Sequence, residues 1–378
     1  MKKKFVLVVI LTFLLSFVYA QLSFKIEGDL TAFKKPSRLF INYNNGTNGI
    51  TDSVVLKNGK FVFKGKINRP QFAVLTVYPL LGDGPETMAW QQKMTLDNCT
   101  FYIDKGVVSI KGRNLATAVI KGGSTQKEYQ RLQDQLAGFN REMKLYQEQL
   151  PALRARKDEK AEKEVFSKIR EIRVKMNQIE EDFIPDHLDS YVTYDMINQK
   201  AVVINPDTFE PIFNKLSERL RTSDEGKALQ ERINIAKRTN IGKTIMDFTQ
   251  NDVNGKPFTL SSLKGKYILL DFWASWCGPC RSESPFILDV YNKYKNKNFE
   301  VVAVSLDDDR DKWVKAIAQD GMPWIQLSDL AGVKNKVAVQ YGVRAIPQNF
   351  LISPDGIIVA KDLRGEEIEK KLTELIPN

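Results

Sequence analysis

The stretch that most constrains this chain is the apolar run Tyr267-Ile-Leu-Leu, leading into Asp271-Phe-Trp-Ala-Ser-Trp-Cys277-Gly-Pro-Cys280. Such a run reads as a buried strand. Gly278 and Pro279 cannot extend it and mark the turn. Beyond them Ile287, Leu288, Val290, Tyr291 and Tyr294 recur at near-helical spacing. The stretch is therefore a strand-to-helix corner with two cysteines three apart. A helix N-terminus offers unpaired N–H groups and a partial positive charge, which favour a thiolate on the first cysteine. The second, one turn along, is placed to attack a mixed disulfide and release the partner.

Two other readings of the pair stand beside this one. A C-x-x-C can be half of a zinc site, but zinc needs four ligands. Only Cys99 and His187 remain to supply them, both far upstream, so no metal is expected. A purely structural disulfide is the other reading, although such small rings are usually exchangeable.

Residues 241–378 resemble the thioredoxin-like thiol-disulfide oxidoreductases, nearest to the secreted TlpA/ResA type. Trp276-Cys-Gly-Pro-Cys280 matches the redox motif, and Pro285 the proline that bends the active-site helix. Asp271, six residues before Cys277, matches the buried acid that shuttles the proton of the second cysteine. Ala345-Ile-Pro347, followed by a strand at 349–352, matches the loop whose cis-proline faces the disulfide.

The resemblance implies an α/β thioredoxin-like fold with Cys277 and Cys280 as the redox-active disulfide and Asp271 as a third catalytic residue. Burial raises a carboxyl's pKa and suits it to that task near neutrality; a strand-end residue bonded to backbone is the alternative. Trp276, Gly278, Pro279, Ile346 and Pro347 are implied as substrate-binding residues. Trp273 is expected in the core, and Arg281 and Glu283 on the solvated surface. No cofactor is implied. The implied partners are disulfide-bearing envelope proteins, cytochrome c maturation factors among them, and a membrane thiol reductant.

At 378 residues the chain is long enough for two or three domains. Met1-Lys-Lys-Lys4 and the apolar residues 5–19 read as a secretory signal peptide, cleaved near Ala20, which places the mature protein in the periplasm. A retained amphiphilic anchor is the alternative. No cysteine follows the run, so no lipoprotein anchor is indicated. Loss of Lys2, Lys3 and Lys4 lowers the formal charge from +10 to +7. Lysines interleave with glutamates and an exported chain meets little nucleic acid, so no nucleic-acid partner is expected.

Residues 21–121 read as an all-β sandwich of short strands. Asn58-Gly59 suits the turn of a hairpin joining strands at 53–57 and 60–64. The segment also resembles a β-domain of unknown function that precedes secreted thioredoxin-like domains. Cys99, within a strand, is expected as a buried, inert thiol; a free reactive thiol, pairing with another chain, and a third redox partner are the alternatives.

Residues 122–240 read as helical. Tyr129, Leu132, Leu136, Phe139, Met143, Tyr146 and Leu150 are spaced alternately by three and four, as are Val165, Ile169, Ile172, Met176, Ile179 and Phe183. An antiparallel hairpin satisfies both stripes; a homodimer through the same seams is the alternative. Pro151 and residues 154–164 interrupt the seam. Shorter helices are expected at 190–199, 207–221 and 224–239, the last two with Asp caps. His187 is expected to be structural.

In residues 241–378, a hairpin pairs residues 245–248 with 257–260. The core then follows as strand 267–272, a helix, strand 299–305, helix 311–319, a loop with Pro323-Trp324, a short helix, two strands joined at Pro354-Asp-Gly356, and a closing helix. Three functions fit this organisation. One is thiol-disulfide oxidoreductase activity, as a reductase or as an oxidase or isomerase; Gly278-Pro279 is the dipeptide of strongly reducing relatives. Another is a partner-binding envelope protein in which redox is secondary. A thiol peroxidase is disfavoured, because Ala274 stands where peroxiredoxins need Thr.

Overall fold

The computed structural model describes residues 21–33, 37–44, 48–79 and 96–376. The leader expected over residues 1–20, with its cleavage at Ala20, lies outside them. The chain divides into two compact units, Met1–Val192 and Thr193–Asn378. The helices expected as one region over 122–240 are thus shared between the two.

The first unit opens with eight strands: β1 (Leu22–Leu30), β2 (Ser37–Asn44), β3 (Gly49–Val55), β4 (Lys60–Ile67), β5 (Gln71–Pro79), β6 (Asn98–Ile103), β7 (Gly106–Gly112) and β8 (Val119–Lys121). They form two four-stranded sheets, ordered β4-β1-β7-β8 and β3-β2-β5-β6. Ile26, Leu30 and Ile110 from one sheet and Leu39, Leu75 and Phe101 from the other are buried in the same core.

The Asn58-Gly59 hairpin is corrected. Both residues take the left-handed conformation its turn requires, with φ of 53° and 77°, and Lys57 and Lys60 exchange backbone hydrogen bonds across it. Yet β3 belongs to one sheet and β4 to the other. Leu56, just before the turn, is buried between them, and its N–H is taken by the Ser37 carbonyl. The chain changes sheets here, with Leu56 buried in the shared core.

Two long helices follow, α1 (Ser124–Arg156) and α2 (Glu159–Phe183), and pack as a hairpin within one chain. Leu132 and Leu136 on α1, and Val165, Ile172 and Phe183 on α2, are buried. Pro151, expected to interrupt the seam, lies inside α1. The break comes later, where Lys157 turns left-handed and Asp158 accepts the Ala161 N–H at 3.1 Å. His187 accepts a structural role: its Nδ1 is 2.8 Å from the Phe183 carbonyl and its ring stacks on Phe183.

The boundary between units falls in α3 (Tyr191–Lys200). The helix expected over 207–221 is two, α4 (Pro206–Lys215) and α5 (Glu218–Arg221), because Ser217 caps a new N-terminus by accepting the Leu220 N–H. After α6 (Asp224–Arg238) the expected Asp caps are also corrected. Asn205 and Ser223 do the capping, since a cap must precede the helix to reach its first N–H groups. Asp207 and Asp224 sit in the first turns, where they favour the dipole instead.

The small hairpin is β9 (Thr249–Asn251) with β10 (Pro257–Thr259), later than expected. Met246 and Asp247 are engaged elsewhere: their carbonyls accept from Tyr341 and Gln340. The main sheet contains β11 (Tyr267–Trp273), β12 (Phe299–Ser305), β13 (Ile325–Leu327), β14 (Gln348–Ile352) and β15 (Ile358–Lys361), in the order β13-β12-β11-β14-β15. β13 lies where a loop was expected. The helices are α7 (Gly278–Tyr294), α8 (Arg310–Gln319), α9 (Lys336–Tyr341) and α10 (Glu366–Leu375).

β11 is central, parallel to β12 and antiparallel to β14. Side chains alternate across it. Phe272 meets Phe350 and Tyr341 of α9 on one face. Leu269, Asp271 and Trp273 therefore point to the other. This is the α/β thioredoxin-like arrangement.

Candidate active site

β11 delivers its chain end to the N-terminus of α7. Cys277 is the helix N-cap, and its sulfur accepts the Cys280 N–H at 3.2 Å. The Cys277 N–H in turn donates to the Ala274 carbonyl at 3.0 Å. Cys277 and Cys280 are joined in a disulfide and both are 5% exposed. Gly278 and Pro279 are the first two residues of α7, where proline's missing N–H costs nothing. Trp276 is 59% exposed, a large aromatic face left open to solvent beside the disulfide. Trp273 is buried and donates its indole N–H to Gln326 at 3.2 Å.

The Ile346–Pro347 peptide is cis. Ile346 packs against the hydrophobic cluster that contains Cys277 and Cys280, so the proline loop and the disulfide share one core.

Asp271 is buried on β11, and its carboxyl makes no hydrogen bond to any described residue. Burial pushes its carboxyl up to about 7; Arg364 opposes the shift and Glu283 adds to it. A carboxyl so placed exchanges a proton near neutrality.

Glu283 and Arg281 depart from the expected solvated surface. Glu283 accepts the Gly365 N–H at 2.7 Å, tying α7 to the residues before α10. Arg281 makes two hydrogen bonds to Asp320, at 2.8 and 2.6 Å, and a third to Gln319. Both side chains are long enough to reach partners distant in sequence, and spacing along a helix does not show that.

Three further residues were not foreseen. Arg364 donates to the carbonyls of Pro347 and Leu363 and is a charged neighbour of Asp271. Asn349, opposite Asp271 in the sheet, clamps Leu363 through both its side-chain atoms, at 2.9 and 3.0 Å. Asp307 accepts from the N–H and hydroxyl of Ser275 and from the Ser305 hydroxyl, at 2.9, 2.5 and 2.6 Å, and so pins the loop that carries Trp276. The Asp-rich run 307–309 after an apolar strand was the one signal that could have pointed to Asp307.

Comparison with known proteins agrees with this geometry. Residues 241–361 match the AhpC/TSA family, and residues 24–129 match a domain of unknown function (DUF4369). The thiol-disulfide oxidoreductase ResA of Bacillus thuringiensis subsp. konkukian is 32% identical over 136 residues, covering 36% of this chain and 76% of that protein. The chain belongs to the ResA-type thiol-disulfide oxidoreductases. Within them, ResA of Bacillus subtilis is 33% identical over 118 residues, 31% of this chain and 64% of its own. A rice protein described as probable nucleoredoxin 3 is 38% identical over 122 residues, 32% of this chain and 25% of its own. The thioredoxin domain of a Bacteroides vulgatus thiol-disulfide oxidoreductase, a solved structure, is 36% identical over 36% of this chain and 98% of its own, with a TM-score of 0.35. As a ResA-type protein, the chain is an enzyme of thiol-disulfide exchange.

Proposed function

We propose that this oxidoreductase is a periplasmic disulfide reductase working through the Cys277–Cys280 couple on envelope proteins. The observation that carries the reading is Asp271: a buried, unbonded carboxyl raised to about 7, on the side of β11 where Glu283 of α7 lies. In the reduced enzyme the Cys277 thiolate, favoured by the helix N-terminus, attacks one sulfur of a substrate disulfide. A Cys277–substrate disulfide forms and one substrate thiolate leaves. Asp271 as carboxylate accepts the proton of Cys280. The resulting Cys280 thiolate attacks Cys277 Sγ, releases the second substrate thiolate and leaves the intramolecular disulfide. Two electrons have passed to the substrate, and a membrane dithiol donor is required to restore them.

Ile346 and Pro347 are assigned to pair with the substrate chain, and Trp276, Gly278 and Pro279 to cover its disulfide. Export rests on the basic and apolar residues at 1–20; among the described residues no helix is long and apolar enough to cross a membrane. The deciding experiment is the reduction potential of the couple in glutathione or dithiothreitol buffers. A value near about −270 mV supports a reductase. One near about −120 mV makes the enzyme a disulfide-forming or shuffling one instead.

A further inference from the structure

The second unit holds a cavity of about 500 Å³ that the exchange chemistry does not use. It lies between the α3–α4 connection, α6, α9 and the strands β14 and β15. Gln348 pairs with Phe272 and so takes the sheet face opposite Asp271. We propose that this cavity binds an amphipathic carboxylate: an acid head held by Arg232, Arg344 and Lys361 on an apolar body laid against valines.

The cations come first. Arg232, Arg344 and Lys361 all line the cavity, and no carboxylate among the described residues does. Arg232 donates only to neutral acceptors, Asn198 Oδ1 at 3.1 Å and the Ala201 carbonyl. Arg344 makes no hydrogen bond or ion pair with any described residue. The Lys361 ammonium likewise has no such partner and lies 5.4 Å over the Phe350 ring. Burial, and then Arg344, lower the pKa of Arg232; burial lowers that of Lys361, with Asp362 opposing. Arg232 and Lys361 are half-buried, and an incoming carboxylate offsets part of the cost of holding their charges there.

The walls decide the rest of the ligand. Val202, Val203, Val333 and Val339 line the same space and are 52%, 48%, 71% and 56% exposed. Apolar side chains left open around convergent polar groups are the pattern of a small-molecule site, and about 500 Å³ lies within the usual size range. A bare anion would leave the valines wet. A doubly charged phosphate head loses more hydration than a carboxylate on entering such walls.

The test is calorimetric titration of the mature full-length protein with octanoate, 1-octanol, acetate and octyl phosphate. Saturable one-to-one binding of octanoate is expected, with octanol and acetate each at least about tenfold weaker, the scale of one charge-assisted hydrogen bond or a few buried methylenes. Arg344→Ala and Val203→Asp, both at exposed positions, should each weaken octanoate by about tenfold while leaving the melting temperature and the Cys277–Cys280 potential unchanged. Arg232→Met with Lys361→Met should weaken it further, and if that variant fails to fold the two exposed-site variants decide. No saturable octanoate binding up to millimolar concentration, equal binding of octanol, tighter binding of octyl phosphate, or indifference to both exposed-site changes would each overturn the proposal.

Discussion

The two units each carry cysteine, and the contrast shows how little the residue type alone decides. Cys99 lies near the start of β6, opposite Leu75 on β5, where backbone N–H groups are spent on the ladder. Burial, assisted by Asp97, pushes its thiol up to about 12. Cys277 stands at a helix N-terminus, where the Cys280 N–H points at its sulfur. The first environment holds a thiol neutral; the second favours the thiolate. Reactivity here follows from which element ends at the cysteine.

The sharpest way to break that contrast is to exchange the residues. Cys277→Ser should lower disulfide-exchange turnover by at least about a thousandfold, since a serine hydroxyl is not ionised near neutrality. Cys280→Ser should retain the first attack and accumulate a mixed disulfide, visible as a mass adduct. Cys99→Ser should leave turnover within about twofold. A comparable loss from Cys99→Ser would show that the β-unit takes part in the chemistry.

Asp271 comes next. Asp271→Asn removes the proton acceptor and should slow release of the mixed disulfide by about a hundredfold at pH 7, the lower part of the range for general bases. Its effect on stability has the opposite sign. The folded carboxyl sits at about 7, above its unfolded value, so the folded state holds the proton more tightly. The wild type therefore loses stability as pH rises from about 4 to about 7, and the loss is complete above that. The asparagine variant lacks this loss and should gain on the wild type through that window, by up to about 4 kcal/mol. Urea titrations at pH 5 and pH 8 measure it; an equal difference at both would mean that Asp271 is already ionised in the fold.

These residues also show where sequence reading stops. Strand, turn and helix at the redox corner were legible because apolar runs, Gly-Pro and helical spacing are local signals. Asp271 was legible only through the family resemblance, which implies a buried acid six residues before the first cysteine. Arg364, Asn349 and Asp307 were not, since their roles lie in contacts with Pro347, Leu363 and Ser275 that only the folded sheet creates. β13 escaped because three residues give no readable alternation. β3 and β4 were misassigned for a related reason: Asn58-Gly59 specifies a tight turn, not the sheet on either side of it.

Asp307 offers a smaller test, of the loop rather than the chemistry. Asp307→Ala leaves the Ser275 N–H and two hydroxyls without their acceptor, at a cost of about 2–3 kcal/mol. Because that loop carries Trp276, activity toward a protein disulfide should fall more than activity toward a small aromatic disulfide. Equal losses for the two substrates would mean that Trp276 contributes nothing to protein substrates.

The last test concerns Cys99. At pH 8 a thiol at about 12 holds about a thousandfold less thiolate than one at 9, its ordinary value. Alkylation of the native reduced protein with iodoacetamide should therefore label Cys277 within minutes and leave Cys99 unmodified for hours, the thiolate being the reacting species. In urea the difference should vanish, since it comes from burial rather than from covalent neighbours. Rapid labelling of Cys99 in the native state would reopen its role as a third redox thiol. Slow labelling would assign it to the sandwich core, where its sulfur acts as a small apolar group.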